Sequence, residues 1–152
     1  MSLSVYLTTP NSKYAEPHEA IFVRRDGAIV EISREEWDSM FPDREPVVAM
    51  IDNICMTNEV YWGNITHNLG EMASQAGIYM HLWRPEEIGV TKAVQLIEPL
   101  TDGLERLVSC PHRFIAFNPA NGWGSYDGFI AFVANYLNAC RTYPEADVRV
   151  SR

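Results

Sequence analysis

The sequence predicts an α+β fold: a single domain in which a small antiparallel sheet, formed by an N-terminal hairpin plus further strands, is packed by three to four helices. Three observations support it. The segment "EAIFVRRDGAIVEIS" carries a hairpin signal, helical periodicity dominates from Thr66 onward, and the closing "DVRVSR" alternates like a strand. A chain of 152 residues suits one core. We expect one domain over residues 1–152, with a hairpin region at about 1–60, a helical region at about 61–143 and a C-terminal strand at about 147–152.

The hairpin is the clearest local pattern. Two runs of β-prone residues, Ala20–Arg24 and Ala28–Ile32, flank an Asp-Gly dipeptide that tolerates the positive φ angles of a tight turn. Ser33 then stands where a hydroxyl caps a short helix, with Glu36 three residues later. Pro42 predicts the end of that helix. The segment "PVVAMIDNICM" beyond it predicts one or two further strands, or a strand and an irregular segment.

Helical patterns fill the next part of the chain. An apolar stripe with spacings of three and four begins after Thr66 and consists of Leu69, Met72, Ala73 and Ala76. Gly77 follows it as the expected left-handed residue that ends the helix. A second helix is predicted over about 91–108. Pro99 lies inside it and lacks a backbone donor, so we expect a kink or a break into two helices there.

Two further helices precede the terminal strand. Pro111 is expected to start a short helix that runs through Phe117. The last helix is predicted from about Ser125 to Arg141, with one apolar face formed by Phe129, Ile130, Val133, Tyr136, Leu137 and Cys140.

Charge and composition exclude several classes of partner. The protein is acidic, with a formal charge of −8, and its twelve basic residues are dispersed, so no direct nucleic-acid binding is expected. No apolar run is long enough to span a bilayer, so no membrane association is expected. The segment "MSLSVYLTTPNSKY" lacks the features of a signal peptide. We therefore expect a cytoplasmic protein.

The three cysteines fit that location. Their number is odd, they are widely spaced at Cys55, Cys110 and Cys140, and they form no C-x-x-C pair. Neither a disulfide framework nor a four-thiolate zinc site is expected. Cys140 lies on the apolar face of the last helix, which predicts a buried, reduced thiol.

Two long segments, residues 45–83 and 114–140, contain no Lys or Arg and hold three of the four tryptophans. Segments of this composition usually face each other in a core. We therefore expect the helix after Thr66 to pack against the helix after Ser125. The same reasoning predicts that Trp62 and Trp123 are largely buried.

The segment "YWGNITHNLGEMA" concentrates aromatic and polar side chains. We interpret its "NITHN" part chiefly as a helix-initiating element, because Asn64, Thr66 and Asn68 lie where acceptors can reach first-turn N–H groups. Asn68 and Glu71 also have a capping-type spacing. The alternative is a site that faces a groove beside Gly122–Tyr126. The candidate ligand- or partner-binding residues are Tyr61, Trp62, Asn64, Thr66, His67, Asn68, Glu71, Trp123 and Tyr126.

An enzymatic alternative uses His67 and Glu71, which are four residues apart and share a helical face. A metal would require another donor, for which His81, His112 and Asp127 are the candidates. No H-E-x-x-H motif, nucleophile elbow or phosphate-binding glycine loop is present. We assign no catalytic residue, and we expect neither a metal nor another cofactor.

The runs "YWGNITHNLGEMASQAGIYMHLWRPEEIG" and "NPANGWGSYDGFIAFVANYLNAC" resemble a group of small, uncharacterised bacterial and phage or prophage proteins. The shared features are an N-x-T-x-N run, an LWRPEE-like segment and an N-G-W-G-[ST]-Y helix start, within roughly Tyr61 to Arg152. The resemblance implies a mobile-element or accessory gene context and no particular chemistry.

Two functional hypotheses follow. The first is a non-enzymatic binding or interaction protein, a phage or prophage accessory factor that acts on a host protein or a small polar ligand. The second is a small hydrolase or metal-assisted enzyme built on His67 and Glu71. They differ in geometry, because the enzyme requires His67 and Glu71 to converge with another titratable group in an open pocket.

Overall fold

A computed structural model describes residues 1–10, 17–51 and 57–152. Its strands are β1 (Ser2–Pro10), β2 (His18–Arg25), β3 (Ala28–Ile32), β4 (Val48–Ile51), β5 (Thr57–Thr66) and β6 (Asp147–Ser151). Its α-helices are α1 (Arg34–Met40), α2 (Gly70–Gln75), α3 (Tyr79–Trp83), α4 (Val94–Ser109), α5 (Pro111–Ile115) and α6 (Tyr126–Thr142), with 3-10 turns at His67–Leu69 and Pro85–Ile88. The predicted α+β class is confirmed.

The chain divides into two compact units. The larger unit contains Met1–Thr9 and Glu59–Arg152, and the smaller contains Pro10–Asn58. The sequence predicted one antiparallel sheet, whereas the described residues form two three-stranded sheets, in the orders β5-β1-β6 and β3-β2-β4.

The predicted hairpin is confirmed in the smaller unit. Strands β2 and β3 pair in an antiparallel register that ends at Arg25 opposite Ala28. The two turn residues between them have positive φ angles of 51° and 83°. The hydroxyl of Ser33 accepts the N–H of Glu36 at 3.1 Å, so the predicted cap of α1 is confirmed as well. The segment predicted as further strands contributes β4, and its continuation through Cys55 lies outside the described residues.

The sheet of the larger unit has β1 at its centre. Leu3, Val5 and Leu7 alternate along this strand and are fully buried. In the antiparallel register with β6, Val5 lies opposite Val150. The predicted C-terminal strand is therefore confirmed, and it pairs with the beginning of the chain.

Helix α6 is the principal buried helix. Its N-cap is Ser125, whose hydroxyl accepts the N–H of Gly128 at 3.1 Å, as the sequence predicts. Helix α6 packs most extensively against α4. The helix after Thr66 joins the same core through Met72 and Ala73, but it is not the main partner of α6 that the two segments without Lys or Arg suggested. No helix in the described ranges is both long and apolar enough to cross a membrane.

Helix α4 is continuous through Pro99, so of the two predicted outcomes the break into two helices is wrong, and the kink stays a prediction. Proline removes one backbone hydrogen bond from a helix interior. Leu96, Leu100 and Leu107 are fully buried on either side of it. Burial of a shared apolar stripe stabilises a helix more than propensity does, and this packing explains the continuity.

Helix α2 ends as the sequence predicts. Gly77 has a φ of 75°, and its N–H donates to Ser74 O at 3.0 Å. The N–H of Ile78 donates to Ala73 O at 3.0 Å, which completes a Schellman motif. Ile78 then enters the core, where it contacts α4.

The approach of Ile78 to α4 generates a stability prediction. A Cβ placed on Gly103 would lie 2.4 Å from Ile78 Cγ2, and Ile78 is fully buried. We expect Gly103→Ala to lower the free energy of unfolding by about 1–3 kcal/mol through overpacking, measured by urea denaturation. Gly70→Ala is the matched control, because its Cβ would meet Tyr79 at an ordinary 3.4 Å. Equal stability of the two variants would contradict this packing.

Candidate functional site

The "NITHN" segment is divided between a strand and a turn. Asn64 lies in β5, and its side-chain amide donates to Leu3 O at 3.1 Å, to Ser2 Oγ at 3.1 Å and to Ser4 Oγ at 2.9 Å. The expectation that Asn64 caps a helix is therefore wrong. The chain is still extended at this residue, so its amide reaches the neighbouring strand and fastens β5 to β1.

Thr66 and Asn68 have different roles. The hydroxyl of Thr66 accepts the N–H of Asn68 at 3.3 Å, which confirms Thr66 as a cap. The side-chain amide of Asn68 instead donates to Trp123 O at 3.3 Å and to Asn121 Oδ1 at 3.5 Å. Helix α2 has no side-chain cap, and Glu71 accepts from Gln75 at 2.9 Å. The predicted capping pair of Asn68 and Glu71 is wrong, because Asn68 ties the turn to the loop before α6.

His67 is the partner of a buried tryptophan. The indole N–H of Trp83, which is 2% exposed, donates to His67 Nδ1 at 2.8 Å. An indole nitrogen is only a donor, so Nδ1 must carry a lone pair and the neutral ring has its proton on Nε2. Trp83 also stacks on Tyr79, with ring centroids 5.2 Å apart. This contact gives His67 a structural role.

The donors considered for the enzymatic alternative are spread over the larger unit. Within residues 1–10, 17–51 and 57–152, no group of three or more His, Cys, Asp or Glu side chains is placed to hold a metal ion. His81 Nδ1 is buried and has no hydrogen-bond partner among those residues, and burial lowers the pKa of His81. His112 is exposed, and Asp127 lies in the first turn of α6. The described contacts bring neither His67 nor Glu71 to a third titratable group.

The predicted burial of Trp62 and Trp123 is wrong, because their side chains are 56% and 72% exposed. Trp62 lies on a strand at the edge of its sheet, and Trp123 lies in a loop shaped by Gly122 and Gly124, both with positive φ. The absence of Lys and Arg from these segments therefore did not identify core positions. Tyr126 is buried instead, and its hydroxyl donates to Leu107 O at 2.6 Å.

Three of the candidate residues, Tyr61, Trp62 and Asn64, do meet in an open groove of about 640 Å³ between β5 and α6. Its lining from β5 is Val60, Tyr61, Trp62, Gly63 and Asn64, and its lining from α6 and the residue after it is Phe132, Asn135, Asn138, Ala139, Thr142 and Tyr143. The other six candidates are not part of this lining.

The base of the groove is aromatic and neutral. Tyr61 stacks on Tyr136, with ring centroids 5.5 Å apart and planes 12° from parallel. Phe132 packs beside Tyr136, with ring centroids 6.2 Å apart. Burial raises the pKa of Tyr61 and raises the pKa of Tyr136 well above its ordinary value, so both hydroxyls stay protonated at neutral pH.

The α6 wall carries polar side chains at helical spacing. Asn135, Asn138 and Thr142 share one side of the helix and are exposed. The side-chain amides of Asn135 and Asn138 have no hydrogen-bond partner in the part of the chain that the structure describes. Among the residues that the structure describes, the lining contains no Asp, Glu, Lys, Arg or His. Sequence reasoning missed this wall, although the spacing of 135, 138 and 142 beside an apolar face was a readable signal.

The hydrogen bond to Trp83 generates a stability prediction for His67→Ala. Removing the acceptor leaves a buried indole N–H unpaired, which is expected to lower the free energy of unfolding by about 1–3 kcal/mol. The control is His112→Ala at an exposed position, expected within about 0.5 kcal/mol of the parent. Equal free energies of unfolding for the two variants in urea denaturation would contradict the role of His67 as the acceptor for Trp83.

Thiol reactivity tests the burial of α6. Cys140 is fully buried, and burial raises the pKa of its thiol to about 12, whereas Cys110 is exposed. At about pH 8 the Cys140 thiolate is therefore scarce as well as inaccessible. We expect iodoacetamide to alkylate Cys110 and leave Cys140 unmodified in the folded protein, as read by peptide mass spectrometry. Equal labelling of the two thiols would contradict the packing of α6.

Comparison of the chain with protein-family models, with curated proteins and with solved structures found no match. The resemblance to small phage and prophage proteins therefore stays a prediction. The function is inferred from the geometry of the groove alone.

Proposed function

We propose that this protein is a non-enzymatic binding protein and that the groove between β5 and α6 is its binding site. The observation that carries the proposal is the combination of unpaired side-chain amides, an exposed Trp62 and an uncharged lining in one concave surface. Sites of this kind recognise a partner through a few convergent polar groups beside apolar surface.

Each wall of the groove is held in place by its own contacts with the rest of the larger unit. Asn64 fastens β5 to β1 through its three contacts, and this strand presents Trp62. Helix α6 is anchored by fully buried residues on its opposite side, among them Phe129 and Val133. A site with rigid walls binds with less loss of conformational entropy than a loop does.

The nature of the ligand follows from the absence of charge. The chain has a net charge of −8, yet the described residues that line the groove include no charged side chain. A buried ligand charge would find no partner there and would lose its hydration. The proposed ligand is therefore an uncharged part of a protein or a neutral polar molecule. The resemblance to phage and prophage proteins extends the proposal to an accessory factor that acts on a host protein in the cytoplasm.

Affinity capture with a variant of the groove tests this function. Asn138→Arg places a bulky cation in the groove at an exposed helical position, so the fold is expected to remain intact. We expect the parent protein to retain a reproducible set of components from the lysate of its host cell. Asn138→Arg is expected to reduce their yield by roughly tenfold, the effect of losing about 1.4 kcal/mol of binding free energy.

Ala131→Arg is the matched control, because it adds the same side chain at an exposed position of α6 outside the groove lining. It is expected to retain what the parent retains. Quantitative mass spectrometry of the three eluates gives the readout. Identical eluates from all three proteins would contradict the groove as the binding site.

A further inference from the structure

We propose that the groove takes an extended peptide segment of a partner protein, which adds to the free edge of β5 as a fourth strand. This inference rests on the proposed function and names the class of ligand. The binding segment carries uncharged residues.

The first support is the free edge of β5. In the sheet order β5-β1-β6, β1 pairs with one side of β5, and no strand among the described residues pairs with the other side. The outward N–H and C=O groups of an edge strand form a template for another strand. Five consecutive residues, Val60–Asn64, line the groove, so the edge itself is one of its walls. They span about 13 Å at the usual rise per residue of a strand.

The second support is the lack of protection in the part of β5 that lines the groove, because the charged residue of this strand, Glu59, lies before that part. Natural proteins usually guard exposed edges with charged side chains or proline. The stretch "VYWGNIT" from Val60 to Thr66 contains neither. An unprotected edge with exposed aromatic surface is a liability unless pairing is its purpose.

The third support is the opposite wall. The amides of Asn135 and Asn138 each offer two donor hydrogens, which match the C=O groups of a peptide backbone. A strand between β5 and α6 is thus offered hydrogen bonds from both sides. Alternate side chains of that strand would point to the aromatic base at Tyr61 and Phe132, which favours apolar residues at those positions.

Selection from a peptide library tests the inference. The probe is a yeast-displayed library of peptides about seven residues long that lack Asp, Glu, Lys, Arg and His, a length that covers the strand and its ends. It is selected on the parent protein and counter-selected on Asn138→Arg. The account predicts enrichment of sequences in which apolar residues alternate. Failure to enrich any groove-dependent peptide would overturn the proposal.

Backbone methylation then distinguishes strand addition from other modes of binding. Successive N–H groups of a strand point to opposite sides, so only alternate positions donate to β5. N-methylation at one alternating set is expected to weaken binding by roughly tenfold or more, the equivalent of one lost hydrogen bond. Methylation effects that do not alternate would overturn the proposal.

A charge change with a matched control links the peptide to the groove. Asn138→Asp removes the amide donors at constant size and is expected to weaken peptide binding by roughly tenfold. Asn58→Asp adds the same charge at an exposed position of β5 outside the lining and is expected to bind as the parent does. Equal affinities of the two variants would overturn the proposal.

Other occupants give different results. A dimer in sedimentation equilibrium that Asn138→Arg dissociates would show a second copy of the chain in the groove and overturn the peptide proposal. A second overturning result combines two observations. The library yields no peptide, and maltoheptaose, a neutral sugar, displaces the components that the parent protein captures from lysate. In both cases groove-dependent capture from lysate would still support the binding function, so the two proposals fail separately.

Discussion

The stack of Tyr61 on Tyr136 fixes where β5 lies relative to α6, and the groove depends on that placement. A Cβ placed on Gly63 would lie 2.9 Å from Tyr61 Oη and 3.2 Å from Phe132 Cε2. Glycine at this position therefore lets the Tyr61 ring lie along its own strand and meet the Tyr136 ring 5.5 Å away. Glycine inside a strand often marks such a close approach. A larger residue would force the ring and the helix apart.

The same contact divides the surface of α6 into two functions. Tyr136 and Cys140 on the inward side are fully buried. Asn135 and Asn138 lie within two residues of them in the sequence and remain exposed beside the edge of β5. One side of the helix therefore stabilises the core while the neighbouring side offers unpaired hydrogen-bonding groups. An uncharged surface within an acidic protein is what the proposed binding of a neutral partner requires.

Features that depend on residues close in sequence could be predicted. The hairpin, the two caps at Ser33 and Ser125 and the end of α2 at Gly77 follow from local turn and capping chemistry, and the terminal strand follows from the alternation of its residues. The roles of Asn64 and Asn68 could not be predicted, because their amides reach β1 and the loop before α6, which lie far away in the sequence. The prediction that Trp62 and Trp123 are buried failed for the same reason. Only the tertiary structure distinguishes Trp83, held by His67, from the exposed Trp62.

Amide hydrogen exchange of the free protein, followed by NMR, tests the central claim most directly, namely that β5 has one paired edge and one open edge. Along Val60–Asn64, successive N–H groups point alternately to β1 and to the groove. The account predicts alternating slow and fast exchange over these residues in the parent protein. Uniformly slow exchange would show that the outer edge is already covered, and it would contradict the groove as a site for an added strand.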